Sequence, residues 1–258
     1  MNLLGDFLKA RRGRISADEA GLVYSGRRRV PGLRRDELAR LAGLSERYLT
    51  RLEQGVDRNP SAQVLQALAK SLQLSPDETA HLFALAAAPA VPGEQTVDLA
   101  EIEQLVDAWP QTPAYVRDRQ FDVVAANKLA MALSPLYTPG QNLVRGIFLD
   151  PAARELFPDW SDVAAQTAAA LRAEANQQSP YIVQLVADLM VDDRFRELWA
   201  KHDVRPTRNE LKVFNHPSVG PLTLRRQSLA VAGTNSLVII TYHAEPSSPD
   251  AEVLTRLL

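Results

Sequence analysis

The segment Leu33 to Gly55, LRRDELARLAGLSERYLTRLEQG, constrains this chain more than any other, because it holds two short amphipathic helical patterns hinged at Gly43. Leu38, Leu41, Leu44, Leu49 and Leu52 recur at helical intervals and predict a shared inward core. Two helices that meet at a sharp angle need a small residue at the crossing and a turn residue that accepts positive φ. Ala39 and Gly43 supply them. Ser45 stands at the capping position of the second helix, whose outward face carries Glu46, Arg47, Thr50 and Arg51, with Tyr48 beside them. Side chains near the start of such a helix read base edges in the major groove. Arg47 and Arg51 lie four apart on one face, and either matches the O6 and N7 acceptors of guanine. Glu46 is placed to accept from cytosine N4 or to orient Arg47. The pattern predicts a helix-turn-helix that reads double-stranded DNA.

Charge placement agrees. The 258 residues carry a formal net charge of only -2. Up to Ser75, however, 14 Lys or Arg stand against eight Asp or Glu, and the remainder is acidic, with 15 basic against 23 acidic residues. A basic head joined to an acidic body suits phosphate binding at one end only. The chain has no cysteine, which excludes disulfides, thiolate metal sites and cysteine nucleophiles. It begins with an amphipathic pattern rather than an apolar signal region, and no stretch approaches the roughly 18 apolar residues of a membrane span. A cytoplasmic protein without membrane association is expected.

Period and punctuation divide the chain into a head over 1–86, a linker over 87–97 and a body over 98–258. In the head, Leu3, Leu4, Phe7 and Leu8 predict a first helix, and residues 15–32, with Gly21, Gly26, Pro31 and Gly32, predict a loop. A fourth helix follows Pro60 and Ser61, and Ser75-Pro76-Asp77-Glu78 opens a fifth with a capping box. The linker AAPAVPGEQT has no hydrophobic period. In the body, Ala114 to Ala125 predicts a hairpin turning near Asp118 to Gln120, and Asn127 to Leu133 a helix. Pro151 to His202 is mainly helical, most clearly over Val163 to Ala175 and Ile182 to Met190. Leu211 to Phe214, Leu222 to Leu229 and Leu237 to Tyr242 predict strands. The expected fold is an all-α head and an α+β body.

The head resembles the XRE family of phage-repressor-type DNA-binding domains, on LEQG at Leu52 to Gly55 with Pro60 five residues further on. The resemblance implies that Ser45, Glu46, Arg47 and Arg51 face bases. It also implies that Arg34, Arg58, Asn59 and Ser61 grip phosphate, and Arg35 joins this DNA-binding set. Glu46 and Arg47 stand where the family carries glutamines, so its operator preferences do not transfer. Arg27 to Arg29 is either a phosphate contact or a solvated loop. Such domains pair about one DNA turn apart, so a homodimer is expected.

Further segments, RRRVPGLRRDELARLAG, DRNPS, TPAYVRDRQFDVVAAN, NLVRGIFLDP, FRELW with KHDVR, and HPSVGPLTL, together resemble the MmyB-like regulators, in which such a head is joined to a PAS-like ligand-binding body. The resemblance implies a small apolar, fatty-acid-like ligand. A pocket of that kind needs apolar walls and one or two polar anchors. Asn142, Arg145, His202 and Arg205 are the candidate anchors, and a cation such as Arg145 or Arg205 would bind a carboxylate. Phe148 and Trp199, with Trp109, Tyr115, Phe121 and Phe214, are the candidate walls. Asn127 matches the asparagine that commonly ends the first hairpin of PAS domains.

An enzyme is not expected. His202 and Asp203 are adjacent rather than arranged as a relay, no nucleophile elbow or phosphate-cradling glycine loop is present, and His81, His202, His216 and His243 have no metal-binding spacing. No cofactor is expected beyond a bound fatty acid as effector, although a haem or flavin is an alternative for a PAS-like fold. The expected function is a sequence-specific transcriptional regulator sensing a small apolar ligand. The alternative is a ligand-independent regulator whose body serves dimerisation or protein interaction.

Overall fold

A computed structural model describes residues 2–22, 32–57, 59–87, 98–234 and 237–257. Its internal contacts divide the chain into two compact units, Met1–Val91 and Pro92–Leu258. Arg27 to Arg29, Arg58 and most of the expected linker lie outside the described residues.

The described part of the head is all-α: α1 (Leu3–Arg14), α2 (Arg35–Leu41), α3 (Glu46–Gln54), α4 (Ala62–Ser71) and α5 (Pro76–Ala86). Each start is fixed by a local polar group. Ser45, Ser61 and Ser75 accept from the third backbone amide of α3, α4 and α5, and Glu78 returns a bond to the Ser75 amide at 2.8 Å. Leu8, Leu38, Leu49, Leu52, Leu68 and Leu82 are fully buried and form the shared core. One expected core residue is not there: Leu41 is 37% exposed. The buried stripe of α2 runs through Leu38 and Ala39 to Ala42, and Leu41 falls on its flank at the last position of the helix. Gly43, at φ 67°, makes the turn between α2 and α3 in a conformation that a side chain disfavours.

The body is α+β, as expected. It runs α6 (Leu99–Asp107), β1 (Ala114–Arg117), β2 (Val123–Ala126), α7 (Lys128–Leu133), a 3-10 turn (Pro135–Tyr137), α8 (Leu143–Leu149), α9 (Pro151–Leu156), α10 (Trp160–Glu174), α11 (Pro180–Leu189), α12 (Asp193–Ala200), β3 (Glu210–His216), β4 (Gly220–Ala230), β5 (Val238–His243) and α13 (Pro249–Thr255). The residue pattern does not anticipate α6, α8 or α13. The strands form one antiparallel sheet in the order β2-β1-β5-β4-β3.

Alternate residues of each strand face opposite sides. Tyr115, Phe214, Leu222, Leu224, Ile240 and Tyr242 join a large core with the middle helices, whereas Ala114, Val116, Ala125 and Ile239 join a smaller one with Ile102 and Val106 of α6. Asn127 ties these layers together. Its Oδ1 accepts from the amides of Ala114 and Ala130, and its Nδ2 donates to the carbonyls of Val106, Trp109 and Thr112.

In the hairpin turn, Asp118 Oδ1 accepts from the amides of Gln120 and Asp122 and holds Phe121 at φ 67°. A bulky residue in that left-handed region is strained, and here the conformation sets a buried ring beneath the Arg117 guanidinium, 4.2 Å from the ring centre.

Candidate functional site

In the head, Glu46, Arg47, Thr50 and Arg51 line one shallow surface depression with Gln54 and Val56, so the four outward residues expected on α3 do share a face. Glu46 and Arg47 are exposed, and Tyr48 and Thr50 are half-buried. Ser45 spends its hydroxyl oxygen on the amide of Tyr48, 3.1 Å away. Arg51 is not a free cation: Asp57 takes its Nε at 2.8 Å and its Nη2 at 2.9 Å. This pairing, the first cause of the shift, holds the Asp57 carboxyl below the ordinary aspartate range.

Among the expected phosphate contacts, Arg34 is exposed at the start of α2, and Asn59 and Ser61 are exposed at the approach to α4. Ser61 also caps α4. Arg35 is tied inward: its Nε donates to Glu53 Oε2 at 2.6 Å. Glu53, in the last turn of α3, has no exposed side-chain surface and also accepts from Arg12 Nε at 2.7 Å. Two cations therefore compensate one buried carboxylate, and with it α3 is locked to α1 and α2. The sequence reading does not identify Asp57, Glu53 or Arg12; the spacing of Asp57 beyond the helix-ending Gly55 was the available signal for the first.

In the body, a cavity of about 80 Å³ opens between the sheet and the helices. Tyr115, Ile240 and Tyr242 form its floor, Tyr137, Leu143, Ile147 and Phe157 its walls, and the segment Arg205 to Arg208 its rim. Tyr115 and Tyr137 stack with ring centres 4.4 Å apart, and the hydroxyls of Tyr137 and Tyr242 lie 3.0 Å from each other. Burial, before any charge effect, pushes all three phenols well above their ordinary value, so they are neutral donors and acceptors.

Around this apolar floor stand five cations: Arg117, Arg205, Arg208, Lys212 and Arg226. Most are committed. Arg117 pairs with Glu174, and Lys212 donates to Gln166 at 2.5 Å and pairs with Glu210 at 3.0 Å. Burial lowers the Lys212 ammonium despite that pairing. Arg226 Nη2 donates to the carbonyl of Arg208 at 2.8 Å and pairs with Glu210 at 3.1 Å. Arg226 Nε differs: it is buried and has no hydrogen-bond partner.

The expected ligand set needs correcting, because of its six residues only Arg205 lines the cavity. Asn142 caps α8: its Oδ1 accepts from the amides of Val144 and Arg145, and its Nδ2 donates to Gln120 and Asp122, which consumes the group. Arg145 is paired with Asp188 on α11 and is 40% exposed. Phe148 is core, edge-on to Phe195 at 5.0 Å. Trp199 stacks on Phe195 and carries the Arg172 guanidinium 3.7 Å from its ring centre. His202 follows α12 at φ 53°, its amide donating to the carbonyl of Trp199. Of the other expected walls, Tyr115 and Phe121 line the cavity; Phe214 packs edge-on to Tyr242, and Trp109 belongs to the core on the opposite face of the sheet.

Among the described residues, no cluster of His, Asp or Glu could hold a metal ion, and no helix is long and apolar enough to cross a membrane.

Comparison with protein-family models matches residues 99–258, more than half of the chain, to the MmyB-like transcription regulator ligand binding domain, and residues 3–82 to a helix-turn-helix domain. Comparison with curated proteins finds no match.

Proposed function

The chain belongs to the family of MmyB-like transcription regulators with a ligand-binding domain, and on that premise we propose that it is an XRE-type, cytoplasmic, non-enzymatic regulator that reads operator DNA with α3 and changes its DNA affinity when an apolar acid fills the body. The observation that carries the ligand class is Arg226. A buried guanidinium N–H without a partner, beside a neutral apolar floor, suits a carboxylate head with a hydrocarbon or aromatic body. Arg205 at the rim adds a second cation.

Size bears on the same point. Pockets for drug-sized ligands measure about 300 to 1,000 Å³, so a cavity of about 80 Å³ takes a short ligand as it stands. A fatty acid would enter by parting Leu143 and Ile147 of α8 from Val163 of α10, all apolar and all on the cavity wall. The ligand acts on DNA binding only to the extent that it binds two arrangements of the protein unequally.

Calorimetric titration of the purified full chain with straight-chain acids from acetate upward, followed by operator binding at fixed salt, tests this reading. Saturable binding at one site with a change in operator affinity is expected. If no acid binds, the ligand class is wrong; if binding leaves operator affinity unchanged, the switch is wrong. The reading assigns the body no resident cofactor, so visible absorbance in the purified protein would count against it.

A specific observation also favours pairing of two chains through the body. On the face of the sheet opposite the cavity, Leu211 is 58%, Val213 38% and Leu229 46% exposed, the first two neighbours on one face of β3 and the third further along β4 beyond Arg225 and Gln227. Light scattering on wild type and on Leu211→Glu distinguishes the two states: a dimer that becomes monomeric supports this surface, and a monomeric wild type removes it.

A further inference from the structure

The chain leaving the reading helix turns straight back onto it. Gly55 stands at φ 73°, and the next two amides, of Val56 and Asp57, both donate to the carbonyl of Arg51, at 2.9 and 3.3 Å. The side chains of the same two residues then meet, Arg51 Nε on Asp57 Oδ2 and Arg51 Nη2 on Asp57 Oδ1. Arg51 is therefore held by Asp57 at its backbone and at its guanidinium.

The side-on geometry determines what remains. A guanidinium carries five N–H donors. Asp57 uses the one on Nε and one on Nη2, which leaves both hydrogens of Nη1 and the outer hydrogen of Nη2. Two of these point in parallel from the end of the group, the fork that matches guanine O6 and N7. Arg51 itself lines the depression shared with Glu46, Arg47, Thr50 and Gln54, on the face that carries base-reading side chains in a helix-turn-helix.

We propose that Asp57 is the positioning residue for base reading: it fixes Arg51 so that its free fork meets a guanine, and it offsets the charge that would otherwise draw Arg51 to any phosphate. The proposal rests on the DNA-reading role assigned to α3 above. A mobile arginine loses rotamer freedom when it settles on a base, whereas one already clamped has lost most of it. A lone cation also strengthens binding to every sequence through the phosphates. Pairing with a carboxylate weakens that general attraction while leaving two donors for a base with two acceptors. Both effects widen the gap between the right sequence and the wrong one, which is what specificity measures.

The test selects binding sites from a random duplex pool with the full-length wild type, Arg51→Ala, Asp57→Asn and Asp57→Ala, after circular dichroism has confirmed helical content. Wild type should enrich guanine at one position that Arg51→Ala no longer prefers. Asp57→Asn and Asp57→Ala should weaken preference at that same position, lowering the ratio of selected to random affinity about tenfold. Random-DNA affinity should be maintained or increased, with a steeper dependence on salt. The proposal is overturned if both Asp57 variants keep the guanine preference that Arg51→Ala loses, or weaken selected and random DNA alike. A wild type that selects no sequence would remove the DNA-reading role itself; one that selects normally while the Asp57 variants match it removes only the role of Asp57.

Discussion

Arg12 Nε lies 2.7 Å from Glu53 Oε1, joining α1 to the last turn of α3 through a carboxylate with no exposed surface. Arg35 holds the other oxygen. The orientation of α3 thus depends on a buried charge compensated from two directions. Glu53→Ala removes the only carboxylate paired with Arg12 among the described residues, and should cost about 3 to 5 kcal/mol. All three tryptophans, Trp109, Trp160 and Trp199, lie in the body. Unfolding followed by far-ultraviolet circular dichroism should therefore shift to lower denaturant, while tryptophan fluorescence moves little; coincident shifts would show that Glu53 does not act locally.

Arg47 is exposed on α3, and no ion pair is seen for it among the described residues. Arg47→Ala should lower affinity for the selected operator by about 1 to 3 kcal/mol and relax preference at one base pair. Arg34→Ala, at the start of α2, should weaken selected and random DNA to the same degree. Equal losses on both DNAs for Arg47→Ala would mean that the reading face is misassigned.

Asn127 makes five hydrogen bonds through two side-chain atoms and is buried. Asn127→Ala leaves the Ala114 amide and the carbonyl of Thr112 short of partners, at a cost of about 2 to 4 kcal/mol. Hydrogen exchange should show the α6 and β1 amides losing protection together. Unchanged protection there would argue that the layers hold without Asn127.

Glu174 is half-buried beside Arg117. Burial alone would raise its carboxyl, but the Arg117 charge and the bonds from Thr207 outweigh it, so the group titrates below its ordinary value of 4.5. A carboxyl with a depressed folded value stabilises the fold above its unfolded value, and that contribution is lost as pH falls through the folded one. Glu174→Gln should therefore destabilise the body at neutral pH, and its deficit against wild type should shrink as pH drops below about 4.5. A deficit independent of pH between 7 and 3 would rule out the charge as its source.

Arg226→Gln should weaken binding of a carboxylate ligand at least about tenfold, the loss of one charge-assisted hydrogen bond. Arg145→Ala, which breaks a pair with Asp188 away from the cavity, should leave that affinity unchanged. The reverse pattern in calorimetric titration would place the ligand elsewhere.

Much of the local structure was legible in the sequence. The helix starts at Ser45, Ser61 and Ser75 and the strand that ends at Asn127 follow from groups within four residues of one another. A cap or a turn is a contact between near neighbours, so its residues appear together in the sequence. Short α6, α8 and α13 are not legible because each is only about two turns long, too short for a clear helical period.

The ligand site was much less legible. Asn142, Arg145, Phe148, Trp199 and His202 have the chemistry expected of a pocket, yet the first caps α8, the second pairs across helices, and the aromatic pair is packed in the core. Residue type does not say which way a side chain points. Strand β3 gives the sharpest case: Leu211 and Val213 are the exposed residues, whereas Lys212 between them is buried at the cavity.

Near-neighbour contacts made the five helices of the head, the caps at Ser45, Ser61 and Ser75 and the turn at Gly43 legible, because each depends on residues within a turn or two of one another. Long-range packing set the rest. Arg117 meets Glu174 across 57 residues and Thr207 across 90, and Tyr137 meets Tyr242 across 105. Contacts at that separation depend on which face of the sheet the helices cover, and both faces offered apolar side chains. Once α8 and α10 lie over one face, Lys212 and Arg226 turn inward with it and must find partners there. That choice, made by packing the whole body, created a cavity with a buried cation at its edge.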